Sequence, residues 1–329
     1  MTVSRVVNGS TRVRPTTRKR VERAMRDLAY IPNRAARSLV VNKLGVLALV
    51  IPDISNPFFP LLARGAEAAA RAAGYTVILG NSDEEFEKED AYLRAVCALR
   101  VDGVLLAPSG HRSRESLDLL ARQRIPVVGF DSGVDSNIPV TTAATDNIAA
   151  AGAAADKMAE MIGDEGEVGV IVHDQTSRTG IDRRDGFVSR MKDKHPKVNI
   201  VDIQYGGGDQ LKSTDLAKAM MQAHPNLKGF FGANEGSIIG VLNAVKELNK
   251  AGKLVVIGYD SGKQQTDAIR SGVEAGAITQ DPIGIGYKCV DSAVKAIKGE
   301  QLPKNIDTGF YWYDKTNIDD PKIKAVLYD

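Results

Sequence analysis

The stretch Tyr30–Phe59, YIPNRAARSLVVNKLGVLALVIPDISNPFF, joins two chemically different parts of this 329-residue chain. Its first half is basic, whereas its second half contains the apolar run GVLALVI and the turn Asn56-Pro57. A continuous apolar run that ends in a turn is typical of a buried parallel strand whose C-terminal loop reaches a cleft. The stretch therefore predicts a boundary between a module that contacts a polyanion and a module that encloses something small.

The distribution of charge agrees with this boundary. The formal net charge is only +2, but residues 1–43 contain eleven Lys and Arg residues against Glu22 and Asp27, a local charge of +9. Lys and Arg release the counterions condensed on phosphates, so a basic segment on an acidic body is typical of nucleic-acid binding. A solvated basic helix is the alternative that charge alone leaves open.

The chain has two cysteines, Cys97 and Cys289, far apart in sequence. Neither a disulfide framework nor a cysteine metal site is therefore expected. The N-terminal residues MTVSRVVNGSTRVR lack an apolar export segment, and the sequence contains no run of about 18 apolar residues. These features predict a cytoplasmic protein that does not enter a membrane.

The basic segment carries helix signals at three places. Asn8-Gly9 is a pair that can end a helix, whereas the Thr16-Thr17 pair and Asn33 after Pro32 can each cap the start of one. The predicted elements are a helical fragment over 2–8, a helix over 17–28 and a helix over 34–40. Thr16 or Thr17 would cap the second element, which has Val21, Met25 and Leu28 on one face. Asn33 would cap the third.

From Leu44 onward, apolar strands alternate with amphipathic helices in two series. This alternation predicts an α/β protein with parallel sheets covered by helices on both faces, and two series predict two lobes with a cleft at the C-terminal strand ends. The predicted strands lie near 45–52, 75–80, 102–107 and 125–131, then near 167–173, 199–205, 228–232, 254–259 and 275–280. The predicted helices lie near 58–73, 84–99 and 113–123, then over 147–162, 181–193, 211–223, 235–249, 263–271 and 283–298.

The segments TVSRVVNGS and RVRPTTRKRVERAMRDLAYIPNRAARSLV resemble the headpiece of the lactose-repressor (LacI/GalR) family of bacterial transcription regulators. The resemblance implies a recognition helix in the major groove, with Thr2, Ser4 and Arg5 as groove or phosphate contacts. It also implies a hinge helix that folds on DNA as a dimer and inserts Leu39 into the minor groove. The implied neighbours of Leu39 on the DNA are Asn33, Arg34, Ala36 and Arg37.

The headpiece of that family opens with a further helix and a turn that have no counterpart before Met1. We therefore expect only a partial helix-turn-helix headpiece in this sequence, with weak and sequence-indifferent DNA binding unless the missing elements are restored. A misassigned start codon, a truncated gene and a shortened version of a longer protein all fit this expectation.

The rest of the chain resembles the same regulators over residues 44–131, and from about Asp131 it resembles the solute-binding receptors of sugar ABC transporters. Both groups imply the type I periplasmic-binding-protein fold, with two doubly wound parallel-sheet lobes after the partial headpiece and the hinge helix. The implied domains are a headpiece and hinge over 1–43 and an effector-binding domain over 44–329. Its lobes would be 44–145 with 280–306, and 146–279 with 307–329.

Six residues at strand ends match the pattern of ribose-binding receptors and are implied to bind a sugar. Aromatic faces contact the C–H surfaces of sugars, and planar polar groups bind adjacent hydroxyls. For Phe58 and Phe59 the alternative is core packing, and for Asp260 it is a helix cap. The six residues are Asn56, Phe58, Phe59, Asn234, Asp260 and Gln280.

A further sugar-binding arginine is implied in TSRTGIDRR, where either Arg178 or Arg183 fits, and an ion pair with Asp182 or Asp185 is the alternative for both. Asp83 or Glu84 would add an acceptor. Where the receptor pattern has an aspartate, this chain has Gly110, which weakens the case for ribose itself. His111 and Arg112 are nearby substitutes, with an exposed loop as the alternative.

Other chemistries lack their sequence signals. The four histidines show no metal-ligand spacing, and no phosphate-binding or nucleophile motif occurs. Trp312 is expected to pack the C-terminal tail onto the second lobe. No metal, cofactor or catalysis is therefore predicted.

The sequence predicts an allosteric, sugar-responsive transcriptional regulator that acts as a homodimer and binds operator DNA and a monosaccharide or polyol. Whether the ligand induces or co-represses stays open. The alternative function is a sugar-binding receptor of an ABC transporter.

Overall fold

The computed structural model describes residues 2–7, 10–30, 43–109, 114–134 and 136–328. The chain divides into two compact units, Met1–Gly45 and Val46–Asp329. Within the described ranges, no helix combines the length and apolar content needed to cross a bilayer.

The first unit contains two helices, α1 (Thr2–Val7) and α2 (Pro15–Asp27). They contact each other, and Val6 of α1 is buried. The guanidinium of Arg18 donates to the Ser10 carbonyl oxygen at 2.6 Å, which fixes α2 to the loop that precedes it.

The predicted cap of α2 is wrong. The N-cap is Arg14, which makes no side-chain capping bond, and Thr16 and Thr17 lie within the first turn. Pro15 explains the earlier start, because its fixed φ suits the first helical position and it has no N–H to satisfy.

The predicted apolar face of α2 is not buried within this unit, since the helix has no buried residue and Leu28 is 78% exposed. The third predicted helix, over 34–40, lies outside the described residues.

The second unit contains two six-stranded sheets. The first has the strand order β11-β5-β4-β3-β1-β2, and all of its pairs are parallel. Its strands are β1 (Val46–Ile51), β2 (Thr76–Asn81), β3 (Gly103–Leu106), β4 (Val127–Phe130), β5 (Thr141–Ala144) and β11 (Asn305–Asp307).

The second sheet has the order β12-β10-β9-β8-β6-β7, and it is parallel except for the antiparallel edge pair β10–β12. Its strands are β6 (Gly166–Val172), β7 (Val198–Tyr205), β8 (Leu227–Gly232), β9 (Val255–Tyr259), β10 (Gly276–Thr279) and β12 (Tyr311–Asp314). The predicted fold class, two parallel α/β sheets in one chain, is confirmed.

Helices cover both faces of each sheet. The remaining helices are α3 (Phe58–Ala72), α4 (Phe86–Leu99), α5 (Arg114–Arg122), α6 (Asn147–Ile162), α7 (Arg178–Lys194), α8 (Gln210–Ala223), α9 (Glu235–Glu247), α10 (Lys263–Ser271), α11 (Pro282–Ile297) and α12 (Pro321–Lys324). Strand β1 shows why its sequence is apolar throughout. Leu47 and Leu49 lie in the core formed with α3 and α11, whereas Ala48 and Val50 lie in the core formed with α4 and α5.

The chain passes between the sheets in three places, after β5, after β10 and between β11 and β12. Two of these segments are joined by hydrogen bonds. The Thr145 hydroxyl donates to the Gly309 carbonyl oxygen at 3.2 Å, and the Asp146 N–H donates to the Asp307 carboxylate at 3.2 Å.

The C-terminal tail completes the second sheet. β12 pairs with β10, so that Trp312 lies opposite Ile278, and the partly buried indole packs against the core of that sheet. The indole N–H donates to the Asp314 carboxylate at 2.8 Å. This is the structural role expected for Trp312.

Candidate functional site

A cavity of about 290 Å³ lies where the C-terminal ends of strands from both sheets meet. Most of its lining residues are polar, and they come from the loops after β1, β2, β3, β4, β6, β7, β8, β9 and β10 and from helices α3 and α7. The carboxyl ends of parallel strands are the usual place for ligands in such sheets. Seven of the predicted sugar-binding residues line this cleft: Asn56, Phe58, Phe59, Arg183, Asn234, Asp260 and Gln280.

Asp260, just after β9, lies at the centre of the polar wall. One carboxylate oxygen accepts the Glu235 N–H at 3.0 Å, and the other accepts the Gln280 amide at 2.9 Å. Asp260 is 3% exposed and has φ of 82°, an unusual conformation for a residue with a side chain. It does not cap α10, whose N-cap is Gly262, so its side chain is held toward the cleft instead.

Arg183, on α7, is the cation of the site. Its guanidinium lies 3.8 Å from the Asp260 carboxylate, and its side chain is 5% exposed. It donates to Asn147 at 2.8 Å and to the Ala233 carbonyl oxygen at 3.0 Å, and it stacks 3.7 Å from the centre of the Tyr259 ring. These contacts fix its plane and leave the remaining donors for the cleft.

Asn147 anchors this arrangement at the start of α6. Its side-chain oxygen accepts from both Arg183 and the Tyr259 hydroxyl, the latter at 2.8 Å. Sequence reasoning did not single out Asn147 or Tyr259, and neither residue lines the cleft itself.

Gln280, just after β10, has one amide atom free for a ligand. Its nitrogen donates to Asp260, while its oxygen is buried and has no hydrogen-bond partner. An unpartnered buried acceptor costs free energy unless a donor reaches it. The amide oxygen therefore marks a position for a ligand hydroxyl or amine.

Phe58 and Phe59 form the apolar wall at the start of α3. Their rings meet edge to face at 5.0 Å, and Phe58 contacts the Tyr328 ring at 5.8 Å. The two side chains are only 3% and 6% exposed and belong to the core of the first sheet. The two expectations for these residues were sugar binding and core packing. Their position fits both in part, because they pack in the core and also line the cleft.

Asn56 and Asn234 are tied to backbone groups. The Asn56 side chain accepts the Phe58 N–H at 3.0 Å, and the Asn234 side chain accepts the Ser237 N–H at 3.0 Å and caps α9. Each amide nitrogen keeps its donors for the cleft.

Two predicted residues lie elsewhere. Asp83 is turned away from the cleft, where it accepts hydrogen bonds from Asn81 and Lys88, and Glu84 lines the cleft in its place. Arg178 pairs with Asp182 at 2.8 Å and has a 67% exposed side chain. It lines an adjoining cavity of about 910 Å³ that shares Asp131, Ser132 and Thr176 with the cleft.

The lining residues that the sequence analysis missed include Asp131, Ser132, His173 and Asp174. Burial raises the pKa of Asp131 to about 6, against the opposing effect of Arg183. Burial, together with the charge of Arg183, lowers the pKa of His173 to about 4, so its ring is neutral at pH 7. The contact of 3.5 Å between His173 and Asp174 is therefore not an ion pair.

The loop with Gly110, His111 and Arg112 lies outside the described residues. The same holds for the implied DNA contacts Asn33, Arg34, Ala36, Arg37 and Leu39. Thr2, Ser4 and Arg5, which the resemblance implies as DNA contacts, are exposed on α1 within the first unit.

Residues 47–301 match the family model described as a periplasmic binding protein domain, and residues 1–33 match that of the bacterial regulatory proteins of the lacI family. The ribose operon repressor of Halalkalibacterium halodurans is 34% identical over 265 residues, which cover 79% of this chain and 76% of the repressor. Catabolite control protein A of Priestia megaterium is 28% identical over 93% of each chain.

A solved structure of an ABC transporter solute-binding protein from Agrobacterium vitis, bound with alpha-D-tagatopyranose, superposes with a TM-score of 0.80. It is 30% identical and covers 86% of this chain and 99% of its own. With both family models matched and a repressor at 34% identity, this chain belongs to the lacI family of bacterial transcriptional regulators and carries a periplasmic binding protein domain.

Proposed function

We propose that this regulator binds a monosaccharide or small polyol in the interlobe cleft and operator DNA through its N-terminal unit. The observation that carries the proposal is the buried Asp260–Gln280–Arg183 group, which faces the rings of Phe58 and Phe59. Carboxylate, amide and guanidinium are planar groups that bind adjacent hydroxyls, and the aromatic wall suits the C–H face of a sugar.

The effector contacts are assigned to the seven predicted residues that line the cleft, and Asp131 is added to them. The DNA contacts are assigned to Thr2, Ser4 and Arg5 and to the hinge residues implied by the family resemblance. The charge of +9 on residues 1–43 supports a polyanionic partner for this unit. No part of the proposal needs catalysis.

The signal would pass through closure of the cleft. In this proposal the lobes are 44–145 with 280–306, and 146–279 with 307–329, and the ligand binds the closed arrangement more tightly than the open one. A ligand shifts a conformational equilibrium only through such a difference in affinity. In a homodimer, closure would change the spacing of the two DNA-binding units.

A second function, a sugar receptor for a transporter, is favoured by the 30% identity to the Agrobacterium vitis solute-binding protein. The two functions differ in one measurable property. A regulator binds a specific duplex, whereas a receptor binds the sugar without any response from DNA.

The sugar-binding proposal is tested by thermal unfolding against a panel of pentoses, hexoses, their amino derivatives and alditols. A ligand that binds only the folded chain raises its stability by RT ln(1 + [L]/Kd). At least one compound should stabilise the wild type and fail to stabilise Asp260→Asn. The proposal is rejected if no compound at millimolar concentration shifts the transition.

A further inference from the structure

The segment between β9 and α10, which presents Asp260 to the cleft, is held by buried side chains outside the described cleft lining. The Glu235 carboxylate accepts the Gly262 N–H at 3.0 Å, and the Glu235 N–H donates to the Asp260 carboxylate at 3.0 Å. The Gln265 amide nitrogen donates to the Tyr259 carbonyl oxygen at 3.1 Å. Support of this kind is needed, because Asp260 has φ of 82°, a strained conformation for a residue with a side chain.

The orientation of the Gln265 amide is fixed by its partners. Its nitrogen faces the Tyr259 carbonyl oxygen and, at 2.6 Å, the Glu235 carboxylate. A backbone carbonyl oxygen can only accept a hydrogen bond, so the amide oxygen cannot take the place of the nitrogen there. The amide oxygen must therefore lie on the other side, where it is buried and has no hydrogen-bond partner.

Glu274, between α10 and β10, lies at that amide oxygen. A Cβ added to Gly258 of β9 would overlap both the Gln265 amide oxygen and Oε1 of Glu274, so the two oxygens lie next to each other. Glu274 is 1% exposed, and both of its carboxyl oxygens are buried without a hydrogen-bond partner. Two adjacent buried acceptors are unfavourable unless one of them carries a proton, and an amide oxygen does not take one up. The geometry therefore places a proton on Glu274.

The surroundings of Glu274 also favour its neutral form. The titratable groups near it are Glu235, at the start of α9, and Tyr313 of β12, and neither of them supplies a positive charge. Burial, with a contribution from Glu235, raises the pKa of Glu274 well above its ordinary value. A protonated Glu274 needs no cation, and its hydroxyl can donate to Gln265.

We propose that Glu274 stays protonated and is a positioning residue for the effector site. Its proton fixes the Gln265 amide, and the amide nitrogen in turn fixes the Glu235 carboxylate. Glu235 then binds the carboxylate of Asp260 through its N–H. Loss of the proton would turn the amide, because an ionised carboxylate binds the amide nitrogen and repels the oxygen, and Glu235 would lose its donor. The effect on effector affinity rests on the proposed sugar-binding function, whereas the proton and its effect on the Asp260 segment do not.

The protonation state is measured by NMR of the whole chain labelled with carbon-13 at the glutamate carboxyl groups. The Glu274 resonance is identified by its absence in Glu274→Gln. At pH 7 it should have the chemical shift of a protonated carboxyl, and the exposed Glu160 gives the reference for an ionised one. A Glu274 resonance at the ionised position at pH 7 rejects the proposal.

Two substitutions of similar size separate the proton donor from packing. Glu274→Gln keeps an N–H donor for Gln265, whereas Glu274→Met fills the space and donates nothing. Hydrogen–deuterium exchange is followed at the Glu235 and Gly262 amides, which donate to Asp260 and to Glu235 respectively. Glu274→Gln should exchange within about twofold of the wild-type rate, and Glu274→Met should exchange about tenfold or more faster at both amides.

The Ala154 amide, in the buried part of α6, is the internal control for that measurement. It should exchange at the wild-type rate in both variants, because a general loss of stability would speed its exchange as well. Gln265→Met, which removes the amide and keeps the acid, should show the same two fast amides as Glu274→Met. Wild-type exchange of these two amides in Glu274→Met and in Gln265→Met rejects the positioning role.

Calorimetry tests the link to the effector site. The probe is the compound from the sugar and alditol panel that stabilises the wild type most. It should bind Glu274→Gln within about twofold of the wild-type affinity and Glu274→Met about fivefold or more weakly. Equal affinity in the two variants rejects the link between Glu274 and effector binding. If no compound of the panel binds the wild type, the sugar-binding function falls, and the NMR and exchange results decide the proton and the positioning role separately.

Discussion

At the scale of single residues, a substitution of Arg178 is a suitable control for one of Arg183, because both residues are on α7 and only Arg183 reaches the cleft. Removing the Arg183 charge leaves Asp260 buried without its cation, a change that costs about 3–5 kcal/mol in other buried pairs. Arg183→Met should therefore lower the unfolding temperature and reduce ligand affinity by about a hundredfold or more.

The control for that prediction is Arg178→Met. The 67% exposed side chain of Arg178 pairs with Asp182 at the surface, where such pairs contribute about 0–1 kcal/mol. Affinity and unfolding temperature should both stay close to wild type, as measured by calorimetry and circular dichroism. Equal losses in the two variants would contradict the placement of Arg183 in the site.

The sequence could not decide between these two arginines, because they are five positions apart on one helix and point in different directions. The choice depends on which face of α7 packs toward the cleft, which is a tertiary property. Asp131 was missed for a related reason. The predicted strand over 125–131 includes it, whereas β4 ends at Phe130 and leaves Asp131 as the first residue of the loop.

At the scale of elements, Glu235 couples α9 to the loop before α10. Its carboxylate accepts the Gly262 N–H at 3.0 Å and the Gln265 amide at 2.6 Å, and its own N–H donates to Asp260. Burial, with a contribution from Asp260, raises its pKa from 4.5 to about 7.

This shift predicts a pH dependence of stability with a definite sign. Between about pH 4.5 and 7, Glu235 binds more protons in the folded chain than in the unfolded chain, so its contribution to the unfolding free energy falls as the pH rises through that window. Glu235→Gln should flatten this slope and remove up to about 3 kcal/mol of the change. Urea unfolding at pH 5 and pH 8 measures it.

Glu160→Gln is the control for Glu235→Gln, since Glu160 is exposed on α6. It should leave the slope unchanged. A Glu235→Gln chain whose unfolding free energy changes between pH 5 and pH 8 in the same way as that of the wild type would contradict the raised pKa of Glu235.

Helices α3 and α11 pack so closely that their glycines are required. A Cβ added at Gly65 would overlap the Ile283 carbonyl oxygen, whereas one added at Gly152 on α6 would find its nearest neighbour, in the Arg190 side chain, at 3.7 Å. Gly65→Ala should cost about 1–3 kcal/mol by overpacking. Gly152→Ala should be neutral or slightly stabilising, because alanine favours the helix. Chemical unfolding of both variants tests the contrast.

Most of the elements were predictable because the signal is local. The residues of β1 point alternately into two cores, so the strand is visible in the sequence as a continuous apolar run of the right length. Strand β5 was not predicted, because its sequence TTAA carries little apolar signal. The tail strand β12 was also missed, because only its pairing with β10 makes YWYD a strand.

At the scale of the whole molecule, the proposed function requires that the cleft and the DNA-binding unit share one equilibrium. If an effector changes operator affinity by some factor, operator DNA must change effector affinity by the same factor. Typical coupling lies at about 5- to 150-fold, and its sign would identify the ligand as an inducer or a co-repressor.

The coupling is measured on the chain with the missing elements of its helix-turn-helix headpiece restored. Fluorescence anisotropy follows binding to duplexes taken from upstream of the gene, with and without saturating effector, and calorimetry follows binding of the effector with and without the duplex. We expect equal factors from the two measurements in the wild type.

Arg183→Met should bind the duplex with wild-type affinity in the absence of effector and show no response when effector is added, because the substitution removes the effector site and not the DNA surface. If the wild type binds the effector but no duplex responds to it by more than about twofold, the cleft and the DNA-binding unit are uncoupled. The receptor function would then explain the cleft better than regulation does.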